Sequence, residues 1–179
     1  MSTLSLPERL ARAVGESPIS EAVAVAQERV YGPVIGWARR SPFHTGVLGH
    51  SVHPALTDLT LGCWMSASIL DVAGGPQARR GATLLVGAGL AAAVPTALAG
   101  TSDWADMTDS ERRIGAVHGL GTDVAVFLLL ASLIARRRGR YALGTRLGIA
   151  GNAIVTGAGF LGGHLALNRG TARRTAAGS

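Results

Sequence analysis

Lysine is missing altogether from these 179 residues, so all 17 basic side chains are arginines. Charge of either sign is scarce, at 16% of the chain, and Cys63 is the single cysteine. One cysteine excludes an intrachain disulfide. So few charges beside 47% hydrophobic residues exclude a disordered chain and are low for a water-soluble one. Residues 1–12 lack the apolar stretch that a cleavable signal peptide needs, so none is expected. No nucleophile–base pair or acid–base spacing can be read either, and no independent catalytic turnover is expected.

Acids number 11, and the resulting isoelectric point is near 11.2. Such a basic balance could serve nucleic acid. Here the arginines fall in short clusters between long apolar runs, where a membrane protein places them for orientation and for contact with anionic lipid. Membrane lipid is therefore the expected partner, and nucleic acid is not. The length matches one folded unit. Mean hydropathy is only +0.30 because Ala and Gly, the latter at 25 positions, carry much of the apolar content.

Residues 1–53 read as a polar, mixed-charge, partly helical segment lying on the membrane surface. Residues 21–30 mix Ala and Val with Glu as an interfacial helix would, and Pro33, Pro42 and several Gly are expected to break the chain beyond residue 30 into turns. Four apolar runs come next, at about 54–75, 81–102, 114–135 and 147–168, within a domain spanning 54–170; residues 171–179 form an expected flexible tail. Each run has about the ~20 residues that cross a hydrocarbon core. The expected fold is all-α: an integral membrane four-helix bundle with an amphipathic N-terminal segment.

Local signals support that division. Gly74-Gly75-Pro76 should end the first run, and Thr108 with Glu111 reads as a capping box opening the third. Pro95 should be tolerated inside the second. Asp58 and Asp71 fall near the ends of the first, where an acid costs less than at the centre. Gly115 with Gly119, Gly144 with Gly148, and Gly159 with Gly163 have the spacing that lets helices pack closely in lipid.

Parity puts loops one-to-two and three-to-four on one side. They carry Arg79, Arg80, Arg136, Arg137, Arg138, Arg140 and Arg146 without an acid. The other loop sets Arg112 and Arg113 beside Asp103, Asp106, Asp109 and Glu111. A multi-pass cell-membrane protein with both termini outside is expected. Arg39, Arg40, Arg169, Arg173 and Arg174 near helix ends on the outer side bring the two counts level.

The same topology gathers His50, His53, Asp103, Trp104, His118 and His164 on the outer face. His118 and His164 each lie about 6 Å inside a helix boundary at ~1.5 Å per residue. Histidine in a membrane span is a candidate functional residue. His118 and His164 could supply the two axial ligands of haem b for electron transfer. Alternatively His50, His53, Asp103 and one deeper His could hold zinc or iron, or the site could take a quinone. A third reading has these rings pin the helix ends by hydrogen bonds, in a non-catalytic anchor or assembly subunit. Asp123 inside the third run points more weakly to a small transporter. His44 falls in a turn region and should be solvated. Gly157, Gly159 and Gly162 fit G-x-G-x-x-G, but residues 163–179 contain no acid and no following strand, so no nucleotide site is expected.

Gly49-His50-Ser51-Val52-His53-Pro54, Leu70-Asp71, Gly74-Gly75, residues 100–104, His118 and Leu161-Gly162-Gly163-His164-Leu165 together resemble a bacterial membrane family called domain of unknown function 2231. The resemblance covers about residues 43–170 and implies a four-helix membrane domain. Similar domains are often joined to a Rieske iron–sulfur domain. No Cys/His cluster comes after Gly170, so a Rieske-type or other redox protein is expected only as a separate partner.

Overall fold

Among the described residues, six α-helices make up most of the chain: α1 (Leu6–Glu16), α2 (Pro18–Ala38), α3 (His53–Ala73), α4 (Gly75–Trp104), α5 (Asp109–Arg137) and α6 (Tyr141–Gly163). A π-helical turn, His164–Asn168, continues α6. The computed structural model describes residues 5–41, 43 and 50–171, and among these there is no strand. Pro42, His44, Gly49 and the expected tail beyond Thr171, with Arg173 and Arg174, lie outside the described residues.

α1 opens with a capping box. The Ser5 hydroxyl accepts from the Glu8 N–H, and the Glu8 carboxylate accepts from the Ser5 N–H at 2.8 Å. Ser17 ends α1 and caps α2, its hydroxyl accepting from the Ile19 N–H at 3.2 Å, with Pro18 in the first turn. The expectation that Pro33 breaks the chain into turns is corrected, because α2 runs through it to Ala38. Pro33 and Arg29, whose carbonyl it leaves without an intrahelical donor, are both exposed, so that carbonyl can find a partner outside the helix.

All four apolar runs are helical; α3 ends two residues short of its expected bound, whereas α4 begins early, at Gly75, and α5 extends from Asp109 to Arg137. α3 does stop before Gly74, and α5 does open directly after Thr108. α5 closes in a Schellman turn. The Arg140 N–H reaches the Ala135 carbonyl at 2.9 Å and the Gly139 N–H the Arg136 carbonyl at 3.0 Å, while Gly139 adopts φ +76, which only glycine does without strain. Among the described residues two helices, α4 and α5, are long and apolar enough to cross a membrane. Acids, Ser and Thr dilute α3, and Gly, Arg146 and Asn152 dilute α6.

Contacts divide the chain into two compact units. The first comprises Met1–Val52, Leu98–Leu120 and Ala158–Ser179; the second comprises His53–Ala97 and Gly121–Gly157. In the second, Trp64, Ala67, Val86, Ala125, Leu129 and Val155 form the apolar core. Beside these apolar residues Arg136 is 1% exposed. Its guanidinium makes a two-pronged hydrogen-bonded ion pair with Asp71, with one arm at 2.8 Å, and its Nε donates to Ser132 Oγ at 3.0 Å. Ser132 in turn donates to the Gly144 carbonyl. One cation thus ties α3, α5 and α6 together. Asn152 adds a second tie, donating to the Trp64 carbonyl at 2.9 Å and to Ser68 Oγ at 2.6 Å.

The four-residue glycine pairs differ in their surroundings. A Cβ on Gly144 would meet Arg136 Cγ at 2.5 Å, and one on Gly148 would meet Ser132 Oγ at 3.3 Å, so this pair makes room for the buried cation. Gly115 and Gly119 receive Trp104 and Gln27. A Cβ on Gly159 or Gly163 would meet nothing within 4 Å, so that pair packs against nothing among the described residues.

Removing one partner of a buried ion pair leaves the other charge uncompensated, at about 3–5 kcal/mol. Asp71→Ala should therefore lower the thermal midpoint of the detergent-purified protein strongly. Asp71→Leu combined with Arg136→Met should recover much of that loss, and differential scanning fluorimetry would read both.

Candidate functional site

The first unit is assembled from three separated stretches of sequence, and polar side chains join them. Arg113 Nε donates to Glu21 at 2.6 Å, and its Nη1 donates to the Gly15 carbonyl at 3.2 Å. Arg112 bonds Glu21 and, at 2.9 Å, Glu28. The start of α5 thereby grips the end of α1 and the first half of α2. Arg39, just past α2, bonds the Ala105 carbonyl and lies 3.8 Å from the Asp106 carboxylate. Ser102 donates to the Ala38 carbonyl at 3.3 Å. Hydrogen bonding to Arg113, with the Arg112 hydrogen bond and charge adding to it, holds the Glu21 carboxyl below its ordinary value of 4.5 against the opposing effect of burial.

Gln27 makes the least expected contact. With its amide nitrogen toward Ala116, it donates to the Ala116 carbonyl and accepts from the Leu120 N–H, both at 3.2 Å. Those two groups are i and i+4 on α5. Gly119, with no side chain, leaves the Gln27 amide space, a Cβ there lying 3.5 Å from its nearest atom. The turn that Gln27 bonds includes His118.

His118 Nδ1 donates to the Ala158 carbonyl at 2.8 Å. Its ring lies against Gly162, where a Cβ would stand 2.8 Å from Cε1. Two residues later His164 begins the π-helical turn, and its Nε2 is buried with no hydrogen-bond partner among the described residues. π-Helical turns are uncommon and concentrate at functional sites. The structure thus brings His118 to the closing turns of α6, beside the stretch that carries His164.

The other expected site residues have separate tasks. Ser51 donates to the Asp103 carboxylate, and His50 Nδ1 donates to the Ser51 carbonyl at 3.1 Å. The Trp104 indole donates to the Arg112 carbonyl at 2.8 Å and packs on Gly115, which closes the turn between α4 and α5. His53 belongs to the second unit, where its Nδ1 donates to the Thr96 carbonyl at 2.9 Å. Among the described residues no three His, Cys, Asp or Glu side chains gather as a metal-binding group. The four-ligand arrangement of His50, His53, Asp103 and a deeper His thus has no such group behind it. Gln27 and the α1 capping residues were missed by sequence reasoning. For α1 the Ser5-Leu6-Pro7-Glu8 signature was available, whereas nothing in the sequence marks Gln27.

Residues 49–174 match the family described as "Predicted membrane protein (DUF2231)". No curated protein and no solved structure matches the chain.

Because the Glu21 carboxyl is depressed, its contribution to the folded state is complete above pH 4.5 and is lost as pH falls through the lower folded value. Protease cleavage of detergent-solubilised protein within residues 6–38 should therefore accelerate below pH 4.5, and Glu21→Gln should show that faster cleavage at neutral pH. Gly162→Ala forces a methyl group against the His118 ring. It should lower stability by about 1–3 kcal/mol, as overpacking does, and His118→Ala in the same chain should relieve part of the loss in a thermal melt.

Proposed function

The chain belongs to the DUF2231 family of predicted membrane proteins, and from that premise we propose that α3, α4, α5 and α6 all cross the bilayer and that His118 and His164 would hold a b-type haem. Large apolar side chains exposed on all four helices support the crossing: Leu59, Ile69 and Val72 on α3, Leu84 and Val94 on α4, Phe127 on α5, and Ile149 and Phe160 on α6. In water so many would be a liability, and in lipid they are the contact surface. Both termini lie outside, because the acid-free arginines at 79–80 and 137–146, at the ends of the helices, hold the opposite side in the cytoplasm.

The observation that carries the ligand assignment is the buried His164 Nε2, which has no hydrogen-bond partner among the described residues. A buried polar nitrogen without a hydrogen bond is costly, and coordination would satisfy it. His118 fits the other ligand position. By donating from Nδ1 to Ala158, it fixes the tautomer with the lone pair on Nε2 and sets the ring orientation, as a hydrogen bond from the other ring nitrogen does for metal-bound imidazoles. Such a haem would supply single-electron exchange. Two imidazoles in a helical frame suit electron exchange with a separate redox protein, a Rieske-type protein among them, at the outer face.

A second reading is favoured by the same His118 contact. A ring seated on Gly162 and bonded to a helix carbonyl also serves as a pin, and His53 makes the same kind of bond to Thr96. The protein is then a non-catalytic anchor or assembly subunit. Protein purified in detergent from haem-supplied cells decides between the two. Haem ligation gives a Soret band with stoichiometric iron that His164→Ala or His118→Ala abolishes. The pinning role gives no Soret band and no iron, with His118→Ala costing about 1 kcal/mol of stability.

A further inference from the structure

α1 buries the wrong face for a helix of a water-soluble protein. Its packed side is Ala11 and Gly15, with Gly15 set against Ser110 and Ile114 of α5. Its leucines point elsewhere: Leu6 is 61% exposed and Leu10 53%, and with exposed Ala13 they form one stripe. That stripe lies roughly 150° around the helix from the packed side, at 3.6 residues per turn. Arg9, Arg12 and Glu16 are exposed and fill a third arc, in which Arg12 lies 3.9 Å from Glu16. The helix therefore has a protein-facing side, an apolar side and a charged side.

The position of α1 identifies what covers the apolar side. The Arg113 guanidinium holds the Gly15 carbonyl, and Gly15 touches the first turns of α5, which is long and apolar enough to cross a membrane. Residues 105–108, which join α4 to α5, belong to the same unit. The end of α1 is thus held where a spanning helix enters the bilayer. We propose that α1 is an interfacial helix, with Leu6, Leu10 and Ala13 inserted among lipid headgroups and upper acyl chains and with Arg9, Arg12 and Glu16 facing water. Three arcs of this kind are what a helix lying in the interface plane presents. The inference rests on α5 crossing the membrane.

Single spin labels on the full chain in lipid nanodiscs test it, in a Cys63→Ala background. Labels at Leu10→Cys and Ala13→Cys should relax with oxygen and lose relaxation by an aqueous nickel chelate, whereas a label at Arg12→Cys should keep it. Two labels on the stripe guard against one variant failing to fold. Nickel access at both 10 and 13 overturns the proposal, as does dipolar broadening between copies at those positions, which would assign the stripe to a second chain. A label at Phe127→Cys, 70% exposed on α5, tests the premise separately. If position 127 is lipid-exposed and position 10 is not, only the docking fails; if position 127 is open to nickel, the spanning reading itself fails.

Discussion

A guanidinium sealed away from solvent cannot shed its charge, so Arg136 must keep Asp71 opposite it. That requirement governs the second unit. It fixes the rotation of α5 about its axis, because only one face can offer Arg136 to α3. It fixes α6 as well, because the guanidinium stem occupies the space that Gly144 and Gly148 leave open. The apolar residues around Trp64 and Leu129 supply area without direction, whereas the ion pair supplies direction. A leucine core alone would tolerate several rotations of these helices; a two-pronged carboxylate–guanidinium pair tolerates one.

The first unit obeys the same rule with weaker groups. Carbonyls at helix ends, which have no intrahelical donor, are claimed one by one: Gly15 by Arg113, Ala38 by Ser102 and Ala105 by Arg39. Ala158 and Arg112, farther along their helices, receive His118 and Trp104. Where the surroundings are lipid, no water is present to take those places. Histidine and tryptophan here do the work that caps do in soluble helices.

Much of the fold was legible in the sequence because lipid imposes a coarse code. Four apolar runs of membrane length mark α3 to α6, and the glycine pair at 74–75 and Thr108 mark two of their boundaries. Pro33 misled because the carbonyl it frees lies on an exposed helix face and can find a partner outside the helix, so the residue alone does not settle where α2 stops. The Asp71–Arg136 pair was invisible for a different reason. Both residues sit near run ends, where charges ordinarily snorkel to water, and only tertiary packing turns them inward. The histidines were legible as candidates, because their depth in two separate runs already pairs His118 with His164. Their hydrogen-bond partners were not legible, because a backbone carbonyl carries no residue identity to read. Gln27 illustrates the same limit, since it recognises two backbone groups of another helix.

The Gln27 amide bonded to two backbone groups of α5 bears on biogenesis. That contact forms only when a segment made some ninety residues earlier has come back to the turn from Ala116 to Leu120. A ribosome releases α2 well before α5, and the closing turns of α6 with Ala158 later still. α5 thus leaves the ribosome without that amide and acquires it only when the first unit assembles. Assembly of the first unit is therefore a late, long-range event in the life of the chain, as contacts distant in sequence generally are.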